Sequence, residues 1–176
     1  MRTPAAALGA TVPTKLSVTQ HFDATPDTVF ALFGDPTFLA ARLEANQGLD
    51  PEIVTQEVDG GSVTLVTRQG IPAEVLPSAV AGFIQGDPST QRTENWTTAA
   101  DGTHSADWAV TIKGAPANLK GTMKLDAEGT GSVLVIEGTA TVPIPLFGGK
   151  IEKVIVEQVT ELLQKEETFT QQHLGS

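Results

Sequence analysis

The chain has 176 residues, of which 40% are apolar and 18% charged. That is a globular composition, long enough for one substantial core and short for two. Acids outnumber bases 21 to 11, giving a formal net charge of −10, which opposes phosphate backbones and anionic lipid surfaces and so disfavours nucleic-acid partners. Cysteine is absent, and with it disulfides, thiolate metal sites and cysteine nucleophiles.

Residues 1–13 hold one arginine and the run AAALGA. That run is too short and too weakly apolar for a secretory signal, and the segment reads as a loose tail before a domain spanning 14–175. Residues 15–22 alternate, with Leu16, Val18 and Phe22 on one side and Lys15, Ser17, Thr19 and His21 on the other, as in a half-buried strand. Thr25-Pro26-Asp27 then carries a helix start, with a capping hydroxyl, a proline at the first position and an acid on the positive end of the dipole. Val29, Phe30 and Phe33 give that helix its apolar stripe. Asp35-Pro36 repeats the signal for a second short helix carrying Phe38, Leu39 and Leu43 and running to about Ala45.

From residue 51 the period becomes two. Strands are expected over 52–58, 62–69, 90–98, 104–113, 118–127 and 131–142, separated by turn signals such as Asp59-Gly60-Gly61, Asp101-Gly102 and Glu128-Gly129. The short gaps imply antiparallel hairpins rather than βαβ units. The segment 70–88 interrupts the series with three prolines and an apolar cluster of Val80, Phe83 and Ile84, and reads as an ordered loop or a short helix. Residues 148–172 place Ile151, Val154, Ile155, Val159, Leu162, Leu163 and Phe169 on one broad face. The acids between 152 and 167 read as the solvated opposite face. Such a helix is about 35 Å long at 1.5 Å per residue, enough to cross a sheet. The expected fold is therefore α+β: a seven-stranded curved antiparallel sheet wrapped around a long C-terminal helix, with two short helices between the first two strands.

This layout resembles the START-like (SRPBCC) superfamily, the helix-grip fold shared with the major birch pollen allergen and with polyketide cyclases. Three segments carry the resemblance: PDTVFALFGDP, LPSAVAGFIQGDPSTQRTENW and VPIPLFGGKIEKVIVEQ. In detail the chain looks like an actinobacterial family of uncharacterised proteins within that superfamily. The resemblance implies a cavity between sheet and helix that takes a hydrophobic, lipid-like small molecule. It implies no catalytic residue.

The residues themselves bear on that expectation. Gly121, Gly138 and Ala140 are small on inward strand faces, either leaving room for a ligand or bending the sheet. The expected ligand contacts are Phe30, Phe33, Phe83, Trp96, Trp108, Met123, Ile136, Ile155, Val159 and Leu162, with Arg68 or Arg92 as polar anchor. Access is expected under 70–88 and the helix pair 26–45. Arg92 and Glu94 share strand parity with Trp96 and read, first, as an ion pair at the surface. His21, His104 and His173 are isolated surface histidines without metal-ligand spacing. Asn95-Trp96-Thr97 matches a glycosylation sequon and reads as chance. Gly148-Gly149-Lys150 lacks the first glycine of a P-loop, and no nucleophile elbow is present. The reading is a non-enzymatic carrier of a hydrophobic molecule, without metal or cofactor, located in the cytoplasm and not inserted in a membrane; its oligomeric state is open. Two alternatives stand beside it: a polyketide cyclase or aromatase-like enzyme, and an interaction module with a filled core.

Overall fold

The computed structural model describes residues 13–76 and 78–176; the tail expected over 1–13 falls, apart from Pro13, outside the described residues. The strands are β1 (Thr14–Phe22), β2 (Leu49–Asp59), β3 (Ser62–Gly70), β4 (Ser89–Thr98), β5 (His104–Lys113), β6 (Asn118–Glu128) and β7 (Gly131–Thr141). The helices are α1 (Pro26–Phe33), α2 (Pro36–Ala45), the single turn α3 (Ser78–Ala81) and α4 (Gly148–Leu174). The sheet is wholly antiparallel, in the order β1-β7-β6-β5-β4-β3-β2. Hairpins join β2 through β7, and the first strand closes against the last. The fold is the α+β helix grip expected from the element order.

Local signals set the element ends. The Thr25 hydroxyl accepts from the Thr28 amide (3.3 Å), and an Asp35 carboxylate oxygen accepts from the amides of Thr37 (2.9 Å) and Phe38 (3.4 Å). Each supplies an acceptor for amides that the first helical turn leaves without a partner. The segment expected as loop or short helix contains one 3-10 turn over Ala73–Val75 and then α3.

The small residues on the inner sheet face have a local explanation. Gly121 and Gly138 are direct cross-strand partners, and Trp108 sits opposite Gly121 on the next strand. A methyl group on Gly121 would run into the backbone of Glu137 and Gly138, and one on Gly138 would press on the Trp108 ring. The indole occupies the slot the two glycines leave and donates from Nε1 to the Glu137 carbonyl oxygen (3.0 Å). The glycines thus allow close packing and sheet curvature, and neither lines the cavity.

The α4 rod packs chiefly against β1 and β7, with α2 alongside. Glu152 anchors its first turns. This carboxylate, 1% exposed, accepts from the Val142 amide (2.9 Å) through Oε1 and from the Thr14 amide (3.2 Å) and hydroxyl (3.0 Å) through Oε2. One side chain thereby ties the start of β1 and the end of β7 to the helix. The buried Gln20 ties β1 to α4 further along, donating to the Leu163 carbonyl oxygen (2.7 Å). The expectation that the acids of 152–167 face water holds for Glu157 and Glu161 but not for Glu152 and Glu166, both of which are buried. Glu152 and Glu166 belong to the helix face turned toward the sheet, where partners compensate the loss of solvent.

Candidate functional site

The space between sheet and helix is filled at one end and open at the other. At the filled end α1 and α2 insert Val29, Phe33, Phe38 and Leu39 against Phe22, Trp96, Met123, Leu134 and Ile136, all buried. Phe33 lies 5.0 Å from Trp96 between ring centroids, and Phe30 lies 5.9 Å from it. The void between these side chains is about 10 Å³.

At the other end lies a cavity of about 440 Å³, within the range of roughly 300–1,000 Å³ usual for small-molecule sites. Its apolar side consists of Trp108, Val110 and Ile112 from β5, Ala115 and Ala117 from the β5–β6 turn, and Ile151, Val154, Ile155, Val159 and Leu162 from α4. Val80 and Ile84 close it from the 71–88 segment. Its polar side consists of Thr67 and Gln69 from β3 and Thr90 and Arg92 from β4. The mouth lies between Gln47 after α2, Glu74 and Val75, and the exposed residues Gln158, Glu161 and Lys165 of α4.

A buried ionic cluster separates the two ends. Arg92 Nη1 donates to both carboxylate oxygens of Glu166 (3.0 and 2.9 Å), and Arg92 Nε lies 2.6 Å from Glu94 Oε1. Arg42 reaches the same two acids at 3.8 Å and 4.0 Å. Asn46 Nδ2 donates to Glu166 Oε1 (3.0 Å), and Trp96 Nε1 donates to Glu94 Oε2 (2.8 Å). Burial works against ionising Glu166, but the charges of Arg92 and Arg42 and the hydrogen bonds from Arg92 and Asn46 overcome it and hold the carboxyl below its ordinary value. For Arg92 burial likewise opposes the charge, and Glu166 and Glu94 prevail, so the guanidinium is held above its usual range.

This cluster corrects the surface reading of Arg92 and Glu94. Glu94 is 2% exposed, because α2 and α4 both close over β4 and bring Arg42 and Glu166 to it. Tertiary contact makes it a buried network, whose loss costs far more than that of an exposed pair. Arg42 and Glu166 were not among the expected site residues. Their signal lies in the helical period: Arg42 stands three and four residues from Leu39 and Phe38, and Glu166 three and four from Leu163 and Leu162, on the apolar stripes of their helices.

The expected contacts divide between the two ends. Arg92, Trp108, Ile155, Val159 and Leu162 are brought together around the cavity. Phe33, Trp96, Met123 and Ile136 lie in the packed end, as does Phe30, which stacks on His104 at 4.1 Å. Phe83 packs beside the cavity against Phe147, at 5.7 Å between centroids. Arg68 points from the outer face of β3, its side chain 46% exposed, toward Glu52 and Gln91; strand parity sends it away from Thr67 and Gln69.

His104 departs from the expectation of a surface histidine. It is 3% exposed, with Nδ1 2.8 Å from the Thr98 hydroxyl and Nε2 2.8 Å from Asp27 Oδ1. It pins the first turn of α1 to the β4–β5 hairpin. His21 is exposed and paired with Glu128 (3.0 Å). Among the described residues, no three His, Asp or Glu side chains gather as a metal-ligand set, and no helix is long and apolar enough to cross a membrane.

A curved antiparallel sheet gripping a C-terminal helix, with paired short helices after the first strand, is the START-like helix-grip fold. The same architecture occurs in the STAR-related lipid transfer protein of Xanthomonas axonopodis (TM-score 0.59, 15% identity, covering 92% of this chain and 86% of that one). It also occurs in a protein of Thermus thermophilus (TM-score 0.56, 20% identity, covering 89% and 97%). At these identities the likeness is one of fold.

Within that class the chain belongs to the family described as "Protein of unknown function (DUF2505)", whose pattern it matches over residues 17–174. It is similar to uncharacterized proteins of Mycobacterium tuberculosis and Mycobacterium bovis, each 37% identical over 114 residues. The match covers 64% of this chain and 66% of those relatives' length.

Proposed function

We propose that the protein binds and carries a hydrophobic small molecule in the cavity between β3–β5 and α4. The observation that carries this reading is the cavity of about 440 Å³ with a predominantly aliphatic wall, in a molecule whose opposite end is packed with almost no void. Apolar burial would supply the affinity, at about 25 cal/mol per Å² before the costs of association. Trp108, Val110, Ile155, Val159 and Leu162 would provide the contact surface. The STAR-related neighbour supports the reading through its fold.

The test is a cavity-filling variant. Nile red, an uncharged dye that brightens in apolar surroundings, should bind the native protein with one-to-one stoichiometry. Val110→Trp should abolish the bright complex while the far-ultraviolet circular dichroism of the fold is retained. No dye binding, and no apolar mass retained in native mass spectra, would sink the carrier reading. Equal dye binding by the native protein and the filled variant would place the dye elsewhere and sink it too.

A further inference from the structure

The inner end of the cavity narrows the chemistry of its occupant, granted that the cavity binds one. Arg42, Arg92, Glu94 and Glu166 form a balanced set of two cations and two anions, and each guanidinium lies between both acids. No charge in the set is left to neutralise an ionised ligand. A ligand carboxylate placed there would meet Glu166, and a ligand ammonium would meet the two arginines. Either charge would lose its water without gaining a counter-ion, which weakens binding.

Hydrogen-bonding capacity, in contrast, is left over. Arg42 is 5% exposed, and its Nε finds no hydrogen-bond acceptor among the described residues. Gln69 Oε1 is buried and accepts no hydrogen bond there. Thr67, 7% exposed, lines the same cavity from β3, cross-strand from Arg92. A buried donor and a buried acceptor beside one cavity match a group that can both accept and donate, and leaving them unmatched is unfavourable.

We infer that the cavity selects an uncharged amphiphile, an apolar body bearing a hydroxyl group turned toward Thr67, Gln69 and Arg42, and rejects the corresponding carboxylate. This assigns Arg92 a different part from that of a ligand anchor: its Nη1 is committed to both oxygens of Glu166, its Nε lies against Glu94, and it keeps the cavity floor neutral.

The experiment displaces Nile red with 1-decanol or with decanoate at a pH near 8, where a carboxylic acid is ionised. The native protein should prefer the alcohol by about tenfold or more, as expected for a buried charge without a partner. Thr67→Val and Gln69→Leu, near-isosteric and unable to bond the hydroxyl, should lower the ratio of 1-decanol affinity to dye affinity several-fold. Decanoate competing as well as 1-decanol would overturn the inference and leave the carrier reading standing, because the dye is bound and displaced. Variants that keep the native ratio would overturn the placement of the hydroxyl. Failure of the dye to bind at all would remove the carrier reading, and this inference with it.

Discussion

The two ends of the grip share one sheet and one helix, yet one is solid and the other hollow. The solid end is covered by α1 and α2, whose capped starts and closely spaced aromatic and aliphatic residues deliver Val29, Phe33, Phe38 and Leu39 into the sheet concavity. The hollow end is covered by a 3-10 turn and a single helical turn in the segment 71–88, which lines the cavity with Ile71, Pro72, Leu76, Val80 and Ile84. Helices of two or more turns present enough side chains to fill a concave sheet; a proline-rich segment does not. The ionic cluster lies at the boundary, where two residues of β4 and one each of α2 and α4 must be charged and yet out of water.

Substitution at the boundary should have the largest effect. Glu166→Ala leaves Arg92 and Arg42 with fewer buried counter-charges and should cost about 3–5 kcal/mol, read as a shift in the urea midpoint. A cost below about 1 kcal/mol would mean that water reaches the cluster and that the two ends are not separated by it.

The ends themselves can be set against each other. Met123→Ala in the solid end removes a side chain that is 1% exposed and packed on all sides, and should cost about 2–5 kcal/mol. Leu162→Ala lines the cavity, where part of the side chain has no protein neighbour to lose, and should cost about 1 kcal/mol or less while weakening dye binding. Equal costs would erase the distinction.

The smallest effect concerns acid. The folded protein holds Glu166 below the ordinary 4.5 of a glutamate, so as the pH falls the unfolded chain takes up this proton first. The stabilisation is fully present above 4.5 and is lost as the pH drops through the lower, folded value. For Arg92, held above its ordinary range, the contribution is complete at every pH below that range, so it adds nothing to the acid limb. Stability measured by urea unfolding below pH 4.5 should therefore fall more steeply in the native protein than in Glu166→Ala. Parallel acid limbs would show that Glu166 is not held ionised by its neighbours.

Alternation and turn chemistry made the strands legible from the chain itself. β5 runs over the same residues that periodicity gives, and β6 and β7 differ by a residue at one end. Both capped helices were readable for the same reason, since a cap and a proline act within a few residues. The edge strand β2 begins earlier than its pattern indicates and carries register shifts around Pro51 and Val54, because an edge strand with solvent on one side tolerates irregularity that alternation does not encode. The candidate site was legible only in part. The helix stripe gave Ile155, Val159 and Leu162 and strand parity gave Trp108, but nothing local says that Phe33, Trp96, Met123 and Ile136 fill the far end instead.

Periodicity, capping and turn residues, which act over a few neighbouring positions, determined the seven strands, the two short helices and the long amphipathic rod. Only the tertiary structure decided that Glu94 and Glu166 meet Arg42 and Arg92 out of water, that Trp108 lies in the slot of Gly121 and Gly138, and that space remains beside α4. Those outcomes depend on distances between residues far apart in the chain, where burial, charge compensation and the volume left between packed surfaces are set together.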